Sequence, residues 1–150
     1  MQWVKCRSAI RLIVAGLTVL SLAHLNSLAI AVDTEDAVTV SVEDASAKVG
    51  DKTTIVAKVT PREGYRLAED YRNRVSALSA ADNEVEFDNK VVRGLIQDGS
   101  LVFKIRVTPK TAGAHAINGV LRFGFVNNID GDYHLDIKWA PLTATVTGTE

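Results

Sequence analysis

Five stretches in which apolar and polar residues alternate are the feature that most constrains this fold. In a β-strand successive side chains point to opposite faces, so a period of two indicates strands with one buried face. We predict that every row faces a core. The rows are Val38, Val40 and Val42; Ile55, Ala57 and Val59; Leu101, Phe103, Ile105 and Val107; Ile117, Gly119, Leu121, Phe123 and Phe125; and Leu135, Ile137 and Trp139.

Turn signals separate these rows at intervals of roughly 10 to 15 residues. Gly and Asp tolerate the positive φ that tight turns require. The pattern predicts an all-β protein, an immunoglobulin-like antiparallel β-sandwich of seven or eight strands. Between the rows, residues 68–74 are compatible with a helical turn and residues 77–83 with irregular structure. The turn signals are Gly50-Asp51, Arg62-Glu63-Gly64, Asp98-Gly99, Ala112-Gly113 and Asp130-Gly131.

The first 31 residues have the parts of an export signal. Three basic residues precede a short apolar run, and Ala29 and Ala31 place small side chains where a signal peptidase requires them. We predict cleavage after Ala31, which leaves residues 32–150 as one periplasmic or secreted domain without a membrane span. The alternative is an uncleaved anchor, because about 17 residues is close to the shortest run that spans a bilayer.

Composition excludes several classes of function. Loss of residues 1–31 leaves 14 basic and 18 acidic residues and a net charge of −4. A nucleic-acid-binding protein is expected to have an excess of basic residues, so the composition argues against this class. Cys6 and Met1 are the chain's one cysteine and one methionine, and both leave with the signal. The mature domain of about 119 residues therefore has to be stabilised by its core rather than by disulfides.

Three segments, taken in order, carry a resemblance to a known family. They are residues 49–51 leading into the Ile55 strand, residues 64–67 with Glu69 and Tyr71, and residues 119–125 followed by a loop and the Trp139 strand. Over roughly residues 38–146 the chain resembles the immunoglobulin-like amino-terminal domain of the thiol:disulfide interchange reductase DsbD and its stand-alone periplasmic relatives.

The resemblance implies the fold, export and a surface for docking other proteins. In that family the last segment runs into a cysteine, with a second a few residues on, and the pair passes electrons to thioredoxin-like partners. The matching residues 126–132 contain no thiol. Thiol-disulfide exchange requires a thiolate, so the redox activity is not carried over.

Two segments are candidates for protein docking. Residues 126–134 form a predicted hairpin tip, and loops on a rigid sandwich often carry binding residues. The 65–74 segment combines Tyr and Arg, which anchor many interfaces. The alternative is that the tyrosines cap the core and the arginines solvate a loop. The docking candidates are Tyr65, Arg66, Tyr71, Asn127, Asn128, Asp130 and Tyr133.

One weak metal-binding cluster is present in the pattern. His134 with Asp132 or Asp136 would share one face of a strand. Soft copper sites use Cys or Met and zinc takes about three protein ligands, so the alternative is a solvated strand end. The 128–132 run lacks the further ligands of a calcium loop and is better explained by turn chemistry.

No catalytic residues are predicted. The sequence contains no nucleophile elbow and no metalloprotease motif, and Glu84, Glu86 and Asp88 alternate with apolar residues as on one solvated face of a strand. The leading hypothesis is an exported, non-catalytic binding module without a cofactor, whose partner is another periplasmic or secreted protein. The alternatives are a periplasmic metal-binding accessory protein and an enzyme whose residues assemble only in the fold.

Overall fold

The computed structural model describes residues 30–34, 37–127 and 134–150. These residues form twelve β-strands, and none of the described residues is in an α-helix. The strands are β1 (Ile30–Thr34), β2 (Val38–Glu43), β3 (Ala45–Lys48), β4 (Thr53–Pro61), β5 (Tyr65–Leu67), β6 (Arg74–Ala80), β7 (Val85–Phe87), β8 (Val92–Arg93), β9 (Leu95–Gln97), β10 (Ser100–Pro109), β11 (Gly113–Asn127) and β12 (His134–Thr149). The prediction of seven or eight strands was too low, because strands of two to four residues show no recognisable period.

The strands form two six-stranded sheets. One sheet has the order β1-β2-β4-β10-β7, with β9 also paired to β10; the other has the order β3-β12-β11-β6-β8, with β5 also paired to β11. Every pair is antiparallel except β3 with β12. The predicted immunoglobulin-like β-sandwich is confirmed.

The core lies between the two sheets and is built from the predicted inward rows. Four of the five rows are buried as predicted, although Gly119 is only half-buried. Phe103 from one sheet and Phe123 from the other have no exposed surface. Full burial of one such side chain contributes about 1.5–3 kcal/mol, so these rows are the main source of stability.

The prediction that Leu135, Ile137 and Trp139 face the core was wrong. β12 pairs continuously with β11 from His134 to Gly148. In the second half of β12, Ala140 and every second residue after it are buried in the core between the sheets. Because faces alternate along a strand and no bulge interrupts this pairing, the apolar residues before Ala140 lie on the outer face. The apolar pattern changes parity between Trp139 and Ala140.

Two connecting segments also differ from the predictions. Residues 68–71 form a β-turn instead of a helical turn, with Tyr71 N donating to Ala68 O at 3.3 Å. Residues 77–80 belong to β6 and are not irregular. Ala77 has a φ of 54° where the register between β6 and β11 shifts, so a β-bulge explains the break in alternation.

Positive φ angles at Gly50, Gly64, Gly99 and Gly113 confirm four of the predicted turns. The fifth, Asp130-Gly131, lies outside the described residues, as do residues 1–29 of the predicted export signal. Within the described part of the chain, no helix has the length and hydropathy needed to cross a membrane.

Candidate docking surface

The distal hairpin, defined as residues 122–127 of β11 and 134–139 of β12, carries a row of large apolar side chains on its outer face. Leu135, Ile137 and Trp139 have exposed fractions of 54%, 42% and 63%. The β11 residues opposite them on that face are Val126, Gly124 and Arg122, respectively. Single exposed apolar residues are ordinary, but a contiguous apolar row marks an interaction surface.

Tyr71 packs on this outer face because Gly124 has no side chain. A Cβ on Gly124 would lie 2.9 Å from Tyr71 Cγ, closer than real Cβ atoms approach a ring. The Arg122 guanidinium lies 5.6 Å from the centre of the Tyr71 ring and 5.0 Å from that of Trp139. Three side chains from three segments thus form one row, in which the cation contacts both rings.

Asn73 fixes the segment that carries Tyr71. Its side chain is buried, donates from Nδ2 to Ala68 O at 3.0 Å and accepts from Gly124 N at 2.9 Å. Gly124 O in turn accepts from Ala68 N at 2.9 Å. In the gap between β5 and β6, where no strand pairs with β11, Ala68 and the Asn73 side chain therefore form the hydrogen bonds to the N–H and C=O groups of Gly124. Buried backbone polar groups require such partners.

A cleft of about 790 Å³ opens beside this row. Leu135 and Val126 line it from the distal hairpin, and Tyr71, Ile96 and Pro61 line it from neighbouring segments. Ile96 on β9 is itself partly exposed, at 37%. The apolar surface is therefore partly concave, which is the shape that accommodates a side chain of a partner.

The orientation of the β12 backbone can be read from its contacts with β3. On the side away from β11, the described strands pair with β12 only through β3, at residues 146–149. Thr145 N donates to Asp44 Oδ1 at 2.7 Å, and Thr147 O accepts from Ser46 Oγ at 3.2 Å. The backbone groups of odd-numbered residues on β12 therefore point toward this side.

This alternation leaves β12 with an open edge along its distal half. The N–H and C=O groups of Leu135, Ile137 and Trp139 point to the side where, among the described residues, no strand pairs with them. Pro141 belongs to the same set and has no N–H to donate, which limits the usable edge to the residues before it. Open edges of this kind are templates for another strand.

The predicted docking residues are only partly brought together. Tyr65 pairs with Asn127 and Arg66 with Val126 between β5 and β11, so these candidates lie at one corner of the sheet. Tyr65 is half-buried, with its ring edge-on to Phe125 at 5.8 Å, which is the capping role given above as the alternative. Tyr71 lies on the outer row described above. The remaining candidates, Asn128, Asp130 and Tyr133, lie outside the described residues.

The predicted metal cluster has two members in the described part of the chain. His134 and Asp136 are both exposed and lie on the same face of β12, while Asp132 lies outside that part. No group of three or more His, Cys, Asp and Glu side chains suited to a metal ion occurs within residues 30–34, 37–127 and 134–150. Binding of a metal by His134 stays a prediction.

Another histidine, His115, is buried, and both of its ring nitrogens have hydrogen-bond partners. Its Nδ1 lies 2.6 Å from Asp82 Oδ2 and its Nε2 lies 3.0 Å from Thr111 O. The hydrogen bond to Asp82 raises the pKa of His115, and the same bond lowers the pKa of Asp82. Two acceptors facing the two ring nitrogens favour the imidazolium, so this histidine links the segments that carry Asp82 and Thr111.

Sequence reasoning missed several residues of the surface. Trp139, Ile137 and Leu135 were assigned to the core, and neither Asn73 nor Gly124 was singled out. A usable signal did exist: the row Ala140, Leu142, Ala144 and Val146 alternates with the opposite parity to the row before it. Because a continuous strand cannot bury both rows against one sheet, one of them has to be exposed.

No family model and no curated protein matches the sequence. AggA, the major subunit of aggregative adherence fimbriae type I from Escherichia coli, is a similar solved structure with 16% identity and a TM-score of 0.39, over 75% of this chain and 94% of that one. The ASH/PapD-like domain 7 of human CEP192 has 10% identity and a TM-score of 0.36, over 94% and 99%. At these values neither likeness bears on function, and the DsbD resemblance stays a prediction.

Proposed function

We propose that this protein is an exported, non-catalytic interaction module that docks a periplasmic or secreted protein on its distal hairpin. The observation that carries the proposal is the outward row of Leu135, Ile137 and Trp139 on a strand whose register leaves it no other face. When a partner covers large apolar side chains that a rigid strand holds in water, the free energy of the system falls. The resemblance to the DsbD amino-terminal domain supports export and docking without supplying a thiol.

The docking part is tested by in-cell photocrosslinking from single positions. We expect a photoreactive residue at position 137 or 139 to capture a specific protein. The photoreactive residue placed at position 104 should capture no specific protein, because Lys104 is exposed on the outer face of the other sheet. Leu135→Ser should weaken the product without unfolding the domain. Capture that is no stronger at 137 and 139 than at Lys104 would contradict docking at this surface.

The export part is tested separately by intact mass of the protein recovered from the periplasm. A chain that begins at Val32 is expected from cleavage after Ala31. A recovered species that still contains Cys6 would contradict cleavage. The two experiments fail independently, so a result on export leaves the result on docking unchanged.

A further inference from the structure

We propose that the partner of the open β12 edge is a second copy of this chain. The two edges would pair antiparallel about a two-fold axis at Ile137, so that the two distal hairpins form one continuous sheet. This inference deepens the proposed function and rests on it only in treating the distal hairpin as a docking surface.

The backbone groups match in this register. Odd-numbered residues of β12 point toward the open edge, so odd residues of one copy must lie opposite odd residues of the other. With the axis at Ile137, that residue lies opposite its own copy and Leu135 lies opposite Trp139. Each pair exchanges N–H and C=O groups in both directions, and the apolar rows of the two copies become neighbours on one face.

The charges on the opposite face also match. Asp136 of one copy lies directly opposite Lys138 of the other, and the two-fold axis repeats this pair. Asp136 is exposed and Lys138 is half-buried on that face of the strand. Opposite charges facing each other across two strands are favourable, whereas like charges are unfavourable. The sequence Asp-Ile-Lys is thus complementary to itself when read in the antiparallel direction.

Other two-fold registers that pair at least five described residues are less favourable. An axis at Asp136 places that carboxylate opposite its own copy, and an axis at Lys138 does the same for the ammonium group. An axis at Trp139 places Pro141, which has no N–H, opposite Ile137, and axes further along the strand keep Pro141 inside the paired segment. Of these registers, the one centred on Ile137 combines complete backbone pairing with paired opposite charges.

The size of the contact predicts a reversible dimer. A strand pair of about seven residues is small beside the roughly 1,200 Å² that a stable interface buries, so we expect a dissociation constant on the order of 10–100 μM. Because the two-fold pairing uses the same edge in both copies, no open β12 edge remains for a third copy.

Sedimentation equilibrium of the mature chain and of two charge variants tests the register. Asp136→Lys places two ammonium groups opposite each other and Lys138→Asp places two carboxylates opposite each other, so each variant alone should dimerise at least tenfold more weakly than the wild type. In an equimolar mixture, every 136–138 pair across a heterodimer is again opposite in sign, and dimerisation should return. Lys104→Asp, on the outer face of the other sheet, is the matched control and should leave the dissociation constant unchanged.

The mixture also keeps the test valid if one variant is less stable, because restored association requires that both chains are folded. A wild-type chain that is monomeric at roughly 500 μM, or a mixture that associates no better than its components, overturns the proposal. If the wild type is monomeric while position 139 still captures a different protein in cells, only the self-pairing is overturned and the proposed function stands. Capture at position 139 of a second copy alone supports both.

Discussion

The two halves of β12 differ in almost every respect although they belong to one uninterrupted strand. In the half that follows Trp139, alternate side chains such as Leu142 and Val146 are buried against the other sheet. Its outer edge is covered by β3 and by the Asp44 carboxylate at Thr145. In the distal half the apolar row lies on the outer face, and the described strands leave the edge open.

The difference shows how one strand of a sandwich can contribute to the core in one half and present an exposed apolar row in the other. The buried half fixes the register, and the register in turn holds the distal apolar residues in water. A loop with the same residues would turn them inward at little cost, whereas a paired strand would have to slip by one residue and expose its core row. The rigid half of the strand therefore holds the exposed half in one conformation, which would preorganise it for the proposed partner.

The largest expected effect comes from the buried half. Leu142→Ala removes a side chain that is 1% exposed and leaves a cavity between the sheets, so we expect a loss of about 2–5 kcal/mol of unfolding free energy. Urea denaturation measures this. A loss below about 1 kcal/mol would mean that this half does not hold the register.

A smaller loss is expected from the support beneath the outer row. Asn73→Ala leaves Gly124 N and Ala68 O without their buried partners, which costs about 1–3 kcal/mol. Asn118→Ala, on an exposed position of β11, is the matched control and should change stability by less than about 0.5 kcal/mol. Equal losses in the two variants would show that the Asn73 amide does not support the row.

A pH-dependent effect, smaller because water screens the partly exposed Asp82, is expected at the opposite end of the sandwich. The raised pKa of His115 gives stability that is complete below the unfolded value of about 6.5 and is lost as pH rises through the folded pKa. The lowered pKa of Asp82 gives stability present above about 3.9 and lost as pH falls through the folded pKa.

Denaturation midpoints between pH 3 and pH 9 measure both limbs of this dependence. His115→Gln should flatten the decline above pH 6.5, because it removes the ring that titrates. In the wild type, Glu84 is a second nearby carboxylate that favours the charged ring. A wild-type midpoint that rises as the pH increases above 6.5 would have the wrong sign and would show that the ion pair of His115 with Asp82 does not stabilise the fold.

The smallest effect on stability is expected in the distal half. Ile137→Thr replaces a side chain that is 42% exposed by another β-branched one, so the unfolding free energy should change by less than about 0.5 kcal/mol. Capture from position 139 should nevertheless fall, because the apolar row is interrupted. A destabilisation like that of Leu142→Ala would show that the row is core after all.

Much of the fold could be predicted because alternation is a local property. The rows around Val40, Ile55, Phe103 and Phe123 each identified a buried face correctly. The row around Ile137 failed because its pattern is equally regular and only its continuity with Ala140 decides which face is inside. Short strands such as β8 failed because two residues show no period.

The candidate surface was less predictable for a physical reason. The contact between Gly124 and Tyr71 and the hydrogen bond from Gly124 N to Asn73 Oδ1 join segments about 50 residues apart, and no local pattern encodes such a pairing. Tyr71 was identified by its residue type, which is a general property of interfaces. The open edge follows from which strands pair, and this is a property of the whole topology.

Amide hydrogen exchange along residues 135–139 tests most directly whether the distal half of β12 is a folded strand with an open edge. In dilute protein we predict alternation: the amides of Leu135, Ile137 and Trp139 exchange rapidly, and those of Asp136 and Lys138, which point toward β11, are protected. Uniformly rapid exchange would show that the strand is not formed there, and uniform protection in dilute protein would show that the edge is already covered within the chain.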